Sequence, residues 1–549
     1  MSHRCTGWFI PVVCSLVLSV SRLNGAEYYT NWAAAHLGSV PAQSSPTNDP
    51  DSDGSANLAE FVFGTDPLAS GGGSAILPGL SGEDGVFGAE VFEQEGHRPG
   101  VQIDLEATVD MTHWIRPWWL RTTNSLPGDP TNSVRELFTT WLPGTNIFIV
   151  RGVLRLLDAG PETANYYVAT NGNDTNNPCT IAQPYKTLGK AASVATAGKL
   201  VYMRGGNYAV TSKISLMKIG TAAQPIRIRA YPGETPTLDG SSFTDDMLSI
   251  TGSYYQVYGL VITNAGHNSI LIKGHNNTVE RCVSLGARNT GIHITGGQGA
   301  GLYPSNNLVL NCDSIRSYDA PIGGNADGFS AKWDLGPGNV FSGCRGWENS
   351  DDNWDLWMGT QPVLIENCWA FRAATNIWNS ASFNGNGNGF KLGGSYVAAA
   401  HRIVNCLSFA NRVNGVDQNN NMAALTVDQN TAWANGGSNF QLNHPSTSTP
   451  HVVRNNISIA GKSSDAFVSG STLISNSWQA ITSPAASTND LLSVDTAFAT
   501  APRRDDGGLP ETPFMRPVPG GRLVDKGVDL GKPFSGSAPD LGAFESLVW

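Results

Sequence analysis

One large apolar residue recurs at regular intervals through the C-terminal part of the chain. Eight short segments align so that this residue forms one column, which we call the anchor column: Ile270, Ile292, Phe329, Trp354, Phe390, Val416, Phe440 and Phe467. Five of the seven intervals are 22 to 27 residues long. That period is typical of one coil of a right-handed parallel β-helix, in which each coil contributes three short strands and buries its inward side chains by stacking on its neighbours. Propeller blades need periods of about 40 residues or more, and the leucine spacing of leucine-rich repeats is absent.

A second column, made mainly of cysteine, precedes the anchors. Four members stand ten residues before an anchor: Cys282, Cys344, Cys406 and Asn430. In two other coils the distance grows to 17 residues at Cys312 and 22 at Cys368, which indicates insertions of seven and twelve residues. Because like residues stack in successive coils, we predict buried, reduced thiols rather than disulfides. An asparagine, interpreted as a turn or ladder amide, stands immediately before three of the cysteines: Asn311, Asn367 and Asn405.

Between residues 75 and 160 short apolar stretches alternate with turn residues, as in VQIDLEATVD and NIFIVRGVLRL. This alternation predicts a small antiparallel β domain ahead of the β-helix, to which we assign residues 164–549. The whole chain is therefore predicted to be all-β. Trp114, Trp118 and Trp119 are a candidate platform for stacking sugars, although tryptophans more often belong to a core.

The first 26 residues have the pattern of a secretory signal peptide. His3 and Arg4 precede a mostly apolar run from Phe9 to Val20, and small residues follow it. The run is shorter than the roughly 20 residues that a membrane span requires, so a retained anchor is the weaker alternative. We expect a secreted or periplasmic protein without a membrane partner.

Residues 27–74 contain a candidate calcium loop. In the segment DPDSDGSANLAE, oxygen-bearing side chains fill positions 1, 3, 5, 7, 9 and 12 of such a loop, and Gly54 fills position 6. These side chains are Asp49, Asp51, Asp53, Ser55, Asn57 and Glu60. The loop resembles those of thrombospondin type 3 and dockerin modules, which implies a structural calcium ion. An acidic linker turn is the alternative.

Composition narrows the possible partners. The chain has 549 residues, more than one ordinary hydrophobic core organises, which favours several domains or an elongated repeat fold. Its formal net charge is −11, and only 14% of its residues are charged, against roughly 25% in an average soluble protein. An acidic chain does not wrap nucleic acid electrostatically, so we expect no nucleic-acid partner. We expect a monomer.

The residues that flank the anchor column define a surface stripe, because neighbours in a strand point to opposite faces. Asp327 and Asp352, each two residues before an anchor, fall one coil apart, and Asp351 lies beside them. Asp355 and Lys391, each one residue after an anchor, also fall one coil apart. Clustered carboxylates repel one another unless a cation compensates, and oxygen ligands without nearby His or Cys favour Ca²⁺. A solvated acidic edge is the alternative.

Four segments carry a resemblance to a known family: NADGFSAKW, GPGNVFSGCRGWENSDDNWDLW, NGNGFKLGG and NGVDQNNN. They resemble the polysaccharide lyase family 9 pectate lyases, which are right-handed parallel β-helices, over most of residues 164–549. The resemblance implies that Asp327, Asp351, Asp352 and Asp355 bind a catalytic Ca²⁺ and that Lys391 is the base. It also implies an acidic pectin-type polysaccharide, polygalacturonate, as the substrate. The insertion ATNIWNSASFNGNG before Lys391 is a departure that bears on sugar subsites.

In such a lyase the base removes the proton from C5 of galacturonate and the oxygen on C4 leaves. We therefore expect activity to rise into alkaline pH, where a lysine near its usual pKa of about 10.4 loses its proton. A polyanionic substrate also needs cationic contacts, for which Lys332, Arg372 and Arg412 are candidates; the alternative is that they are solvated surface charges. His293, two coils before Asp355, is expected to be structural.

Two other functions stay open. A β-helical glycoside hydrolase would use paired carboxylates such as Asp351 and Asp352. Its pattern also needs GHG and RIK segments after the aspartate pair, and neither occurs there. A non-catalytic β-helix that binds polysaccharide is the second alternative, and it predicts that replacing Lys391 changes nothing measurable.

Overall fold

The structure is a computed structural model that describes residues 164–546, apart from 176–178, 445–448, 505, 533 and 535, and the backbone of seven strands nearer the N terminus. The candidate calcium loop, from Asp49 to Glu60, lies outside the described residues. So do the three tryptophans proposed as a sugar platform: Trp114, Trp118 and Trp119. Within the described residues, no helix is long and apolar enough to cross a membrane.

The seven N-terminal strands form two sheets. Four antiparallel strands pair in the order β2-β3-β6-β5: β2 Gly79–Glu83, β3 Val86–Gln94, β5 Leu120–Asn124 and β6 Ser133–Trp141. In the second sheet a central strand pairs antiparallel to β4 and parallel to β1: β1 Cys14–Leu18, β4 Val101–Thr108 and central β7 Ile149–Leu156. Six of the strands fall in the region predicted as antiparallel β, and β1 falls within the predicted signal peptide.

From Tyr166 onward the chain forms the predicted right-handed parallel β-helix, whose strands assemble into three parallel sheets. Sheet I has twelve strands: β8 Tyr166–Val168, β9 Leu200–Met203, β12 Ile226–Ala230, β15 Tyr255–Tyr258, β18 Thr278–Glu280, β21 Leu308–Leu310, β24 Asn339–Ser342, β27 Val363–Glu366, β30 Arg402–Val404, β33 Thr426–Asp428, β36 Val452–Arg454 and β39 Thr472–Ile474. Sheet II has ten: β10 Gly206–Ala209, β13 Pro236–Asp239, β16 Val261–Thr263, β19 Val283–Leu285, β22 Asp313–Ile315, β25 Arg345–Trp347, β28 Trp369–Phe371, β31 Leu407–Phe409, β34 Thr431–Trp433 and β37 Ile457–Ile459. Sheet III also has ten: β11 Ile214–Leu216, β14 Leu248–Ile250, β17 Ile270–Ile272, β20 Ile292–Gly297, β23 Phe329–Trp333, β26 Trp354–Asp355, β29 Phe390–Lys391, β32 Val416–Asp417, β35 Phe440–Leu442 and β38 Ala466–Phe467.

The described helices are short. Helix α1, Leu188–Val194, starts where the Thr187 side chain accepts a hydrogen bond from Lys190 N, and it packs against β8 and β11 at the first coils. Near the other end lie α2, Ser477–Ala480, and two 3₁₀ helices, Thr488–Asp490 and Thr496–Thr500.

The anchor column runs along the interior of sheet III. Seven of its eight members are register partners from coil to coil, from Ile270 to Phe440, and all seven are buried. The eighth assignment is wrong: Phe467 pairs with Leu442, and the Asp465 side chain accepts the Phe440 N–H at 2.9 Å. A shift of two residues keeps a side chain on the same face of the strand, so the apolar pattern alone did not resolve this register.

The cysteine column forms a ladder of buried thiols, all free, as predicted. The Cys344 N–H donates to Cys368 Sγ at 3.4 Å, and the Cys406 N–H donates to Asn430 Oδ1 at 2.9 Å, so asparagine continues the ladder. The asparagines before three of the cysteines adopt positive φ angles of 53°, 50° and 54°: Asn311, Asn367 and Asn405. Asparagine tolerates this left-handed conformation, so the turn interpretation is correct.

Candidate active site

Four aspartates from two neighbouring coils meet beside sheet III. One carboxylate oxygen of each lies within 4.8 Å of those of the other three: Asp327, Asp351, Asp352 and Asp355. We call this group the acid cluster. Asp355 belongs to β26, Asp351 and Asp352 lie in the turn between β25 and β26, and Asp327 lies just before β23. The parallel pairing of β23 with β26 brings the four side chains together.

Two lysine ammonium groups lie among these carboxylates. Lys332 Nζ is 2.7 Å from Asp327 Oδ2 and 2.7 Å from Asp355 Oδ2. Lys391, in β29, is the register partner of Asp355, and its Nζ is 3.2 Å from Asp355 Oδ2 and 3.0 Å from Asp352 Oδ2. With every group ionised, four carboxylates and two ammonium groups leave a buried net charge of about −2.

Burial and the neighbouring charges together shift the pKa values of these carboxyl groups. Burial raises the pKa of Asp351 to about 9, and the carboxylate of Asp352 adds to the increase. Burial raises the pKa of Asp327 to about 7, although Lys332 opposes it. Burial also acts on Asp355, but the two lysines outweigh it and lower the pKa of that carboxyl. Without a further cation, the site therefore retains protons at pH values where isolated aspartates are ionised.

The acid cluster fits a divalent cation. Its oxygen-only ligands suit Ca²⁺ or Mg²⁺, and a charge of +2 balances the net charge without protonating any aspartate. Asp352 Oδ2 is buried, and among the described residues its partner is the Lys391 ammonium group, whose Nζ lies 3.0 Å away. A carboxylate oxygen has more than one lone pair, so Asp352 Oδ2 can also bind a metal ion.

Backbone and amide groups hold two of the aspartates in place. The Asn386 N–H donates to Asp351 Oδ1 at 2.5 Å, and Asn388 donates to Asp352 Oδ1 from its backbone at 2.8 Å and its side chain at 2.9 Å. Both asparagines belong to the long turn between β28 and β29. Neither was predicted from the sequence as part of the site, although Asn388 was recognisable because it follows Asp352 one coil later in the same column.

Asp417 is a further acidic residue of the site that was not predicted from the sequence. It is the register partner of Lys391 on the side away from Asp355. Its carboxylate accepts hydrogen bonds from Asn414 Nδ2 at 2.7 Å and Asn419 N at 2.6 Å, and burial raises its pKa. Lys391 is thus flanked by acids in both neighbouring coils.

The three cations predicted as substrate contacts lie in different environments. Lys332 lies inside the acid cluster, with its side chain 12% exposed. Arg372 is exposed and pairs with Glu348, whose Oε1 is 2.5 Å away. Arg412 is exposed and donates to the Gly385 carbonyl at 3.0 Å. The sequence predicted an exposed stripe, and this prediction is wrong at the acid cluster and at Lys391. Each of these five residues is at most 8% exposed. They are buried because their charges pair with one another and the long turns pack over them.

His293 is buried in the same stripe, two coils before Asp355. Burial and the nearby Lys332 lower its pKa to about 3, so the imidazole is neutral. Its ring packs 5.7 Å from that of Trp333, and neither ring nitrogen has a hydrogen-bond partner among the described residues, so the structural role stays a prediction.

Known proteins are similar to this chain in both fold and sequence. "Pectate lyase L" of Dickeya dadantii (strain 3937) is 40% identical over 400 residues, which cover 69% of this chain and 90% of that protein. The crystal structure of pectate lyase Pel9A matches with a TM-score of 0.63 and 37% identity, covering 70% of this chain and 97% of Pel9A. A solved structure of a rhamnogalacturonan lyase matches with a TM-score of 0.54 and 27% identity, covering 64% and 96%.

The parallel β-helix, its acidic site and these relatives together show that the protein is a polysaccharide lyase. Residues 166–456 match the family described as Pel9A-like, right-handed beta helix region. The chain belongs to that family.

Proposed function

We propose that this protein is a calcium-dependent pectate lyase that cleaves polygalacturonate by β-elimination, with Lys391 as the general base. The observation that carries the proposal is the position of Lys391 Nζ, 3.0 Å from Asp352 and 3.2 Å from Asp355 in a buried cluster that fits a divalent cation. The similarity to pectate lyase L and pectate lyase Pel9A, together with the family resemblance, supports pectate as the substrate.

The four aspartates of the acid cluster would hold the Ca²⁺. When bound, the ion supplies positive charge that stabilises the negative charge developing on a uronate carboxylate. Asn386 and Asn388 keep the carboxylates of Asp351 and Asp352 oriented through their hydrogen bonds. Burial excludes water from the cluster, which strengthens each of these interactions.

Lys391 takes the proton from C5 of the galacturonate unit. The C5–H electron pair becomes the C4=C5 double bond, the C4–O bond breaks, and the departing oxygen takes a proton from the medium. Lys391 must be neutral to act as a base. Burial disfavours its ammonium form, but Asp352 and Asp355 outweigh burial and raise its pKa. Compensating the charge of these aspartates lowers that pKa again, and activity is expected to increase with pH as Lys391 loses its proton.

Hydrolysis by an inverting pair of carboxylates fits the geometry less well. Inverting glycosidases separate their two carboxyl groups by roughly 6.5–9.5 Å so that a water fits between them. Here the four aspartate oxygens lie within 4.8 Å of one another, and lysines occupy the space beside them. The arrangement favours metal binding over activation of a water.

The test is incubation of the protein with polygalacturonate while ultraviolet absorbance and new reducing ends are both recorded. We expect the absorbance of the conjugated double bond to rise when calcium is present and to stop rising when a chelator is added. Reducing ends without ultraviolet absorbance would indicate a hydrolase. Neither signal from folded protein across alkaline pH would reject a catalytic role on this substrate.

Two further proposals concern the N-terminal part of the chain. We propose export directed by residues 1–26, and a structural calcium in the loop from Asp49 to Glu60. The sequence patterns described above support both. Detection of the mature N terminus near residue 27 in the external fraction tests the first, and calcium binding by the full chain before and after Asp53→Ala tests the second.

A further inference from the structure

The turn that carries Asp351 and Asp352 is short, whereas the corresponding turns of both neighbouring coils are long. The upstream turn spans residues 316–328, between β22 and β23, and the insert turn spans 372–389, between β28 and β29. They meet over the short turn: Asn384 N donates to Ile322 O at 2.8 Å, and Ser380 Oγ donates to Pro321 O at 2.5 Å. The two long turns therefore form a wall beside the acid cluster.

A row of flat side chains runs along this wall. The rings of Tyr318 and Trp378 stack with centroids 4.3 Å apart and an angle of 13°. Phe383 continues the row, with its centroid 6.0 Å from that of Trp378. Arg412, from the turn between β31 and β32, ends it, with its guanidinium carbon 5.8 Å from the Phe383 centroid. Three coils thus contribute to one stacked surface.

Arg412, at the end of the row, carries an exposed guanidinium group, whereas the two exposed arginines of the long turns, Arg316 and Arg372, are both paired with Glu348. Nη1 of Arg412 donates to Gly385 O at 3.0 Å, and Gly385 adjoins Asn386, whose N–H holds Asp351. Within the described residues no carboxylate lies within ion-pairing distance of Arg412, whereas Lys332 and Lys391 are both paired with aspartates. Arg412 therefore keeps its capacity to bind an external anion.

We propose that Arg412 binds the carboxylate of a second uronate unit, next along the same polysaccharide chain to the unit held at the acid cluster. This inference rests on the proposed function for the identity of the polysaccharide. A guanidinium group binds a carboxylate through two parallel hydrogen bonds, and its contacts with Phe383 and Gly385 orient it before the substrate arrives. Preorganisation of this kind reduces the entropy lost on binding.

The experiment compares Arg412→Gln with Arg402→Gln. Arg402 is exposed and lies on β30, in the same coil as Arg412. The Arg402→Gln substitution therefore removes the same charge, but from sheet I instead of from the wall. Retardation of each folded protein in gels that contain polygalacturonate measures binding without requiring catalysis. We expect Arg412→Gln to weaken binding about tenfold, the size of one lost charge-assisted hydrogen bond, and Arg402→Gln to bind like wild type. Arg412→Lys, which keeps the charge but not the planar fork, is expected to be intermediate.

Equal retardation of wild type and Arg412→Gln overturns the subsite, and so does a wild type that the polygalacturonate gel does not retard. The same loss in Arg402→Gln also overturns it, because the effect would then be one of net charge. Ultraviolet absorbance assays on the same samples report separately on the proposed function: a wild type that binds but forms no unsaturated product refutes the lyase and leaves the Arg412 subsite supported.

Discussion

Lys391 and Asp355 are register partners on adjacent strands of sheet III, and Lys391 Nζ lies 3.2 Å from Asp355 Oδ2. The pairing of two short parallel strands thus sets the position of the proposed base relative to the acid cluster. Replacement of Lys391 by alanine is expected to reduce lyase activity by about 10²- to 10⁴-fold, the usual contribution of a general base. Ultraviolet product assays across alkaline pH measure this. Lys273→Ala, on another coil, is the control, and full activity in Lys391→Ala would contradict the assignment.

Removing the second ammonium group tests the charge balance of the cluster. Lys332→Met leaves four aspartates facing only Lys391, so the metal-free protein is expected to become less stable and the stabilisation by calcium to increase. Thermal unfolding with chelator and with added calcium measures both quantities. If calcium raised the melting temperature of Lys332→Met and of the wild type equally, Lys332 and the ion would not be compensating the same carboxylate charge.

The insert turn packs against the acid-bearing turn at Gly385. A Cβ atom at this position would lie 1.7 Å from Ser350 O, which is far inside van der Waals contact. Gly385→Ala is therefore expected to displace the insert turn, release Asp351 from the Asn386 N–H, and lower activity about tenfold or more, as small misplacements at active sites do. Gly189→Ala is the control, because the nearest heavy atom to its added methyl group is 3.9 Å away. Equal activity in the two variants would show that the insert turn does not position Asp351.

Two buried histidines predict a loss of stability in mild acid. Nδ1 of His451 accepts the Leu425 N–H at 3.1 Å, and burial lowers its pKa to about 4; His401 is buried similarly, with a pKa of about 3. The unfolded chain takes up protons below pH 6.5 and the folded chain does not, so stability is full above that pH and falls as pH decreases toward 4.

The expected contribution of His451 is roughly 2–3 kcal/mol between pH 7 and pH 4. His451→Asn removes the titrating imidazole but keeps a hydrogen-bond acceptor. In an earlier coil Asn339 Oδ1 accepts the Asn307 N–H in the same way. Denaturant unfolding at a series of pH values compares the two proteins. Parallel pH profiles would contradict the prediction.

The sequence predicted the coil period, the cysteine ladder and the four aspartates because each coil repeats the same inward and outward positions. Residues such as Asp327 and Asp352 then follow from counting along one column. Three features did not follow. The register of Phe467 failed because a two-residue shift preserves the burial pattern. Lys332 was interpreted as a substrate contact because its distance from Asp355 depends on side-chain direction, which spacing does not give. The hydrogen bond from Asn386 depends on the path of the insert turn, which has no repeat.

Anomalous diffraction from crystals grown with calcium is the most direct measurement of the central claim. We predict an anomalous peak with the Lys391 side chain beside it, and the loss of this peak in Asp352→Asn. The carboxylate oxygens that surround the peak belong to Asp327, Asp351, Asp352 and Asp355. No density between these carboxylates at saturating calcium, or a Lys391 side chain directed away from them, would contradict the account.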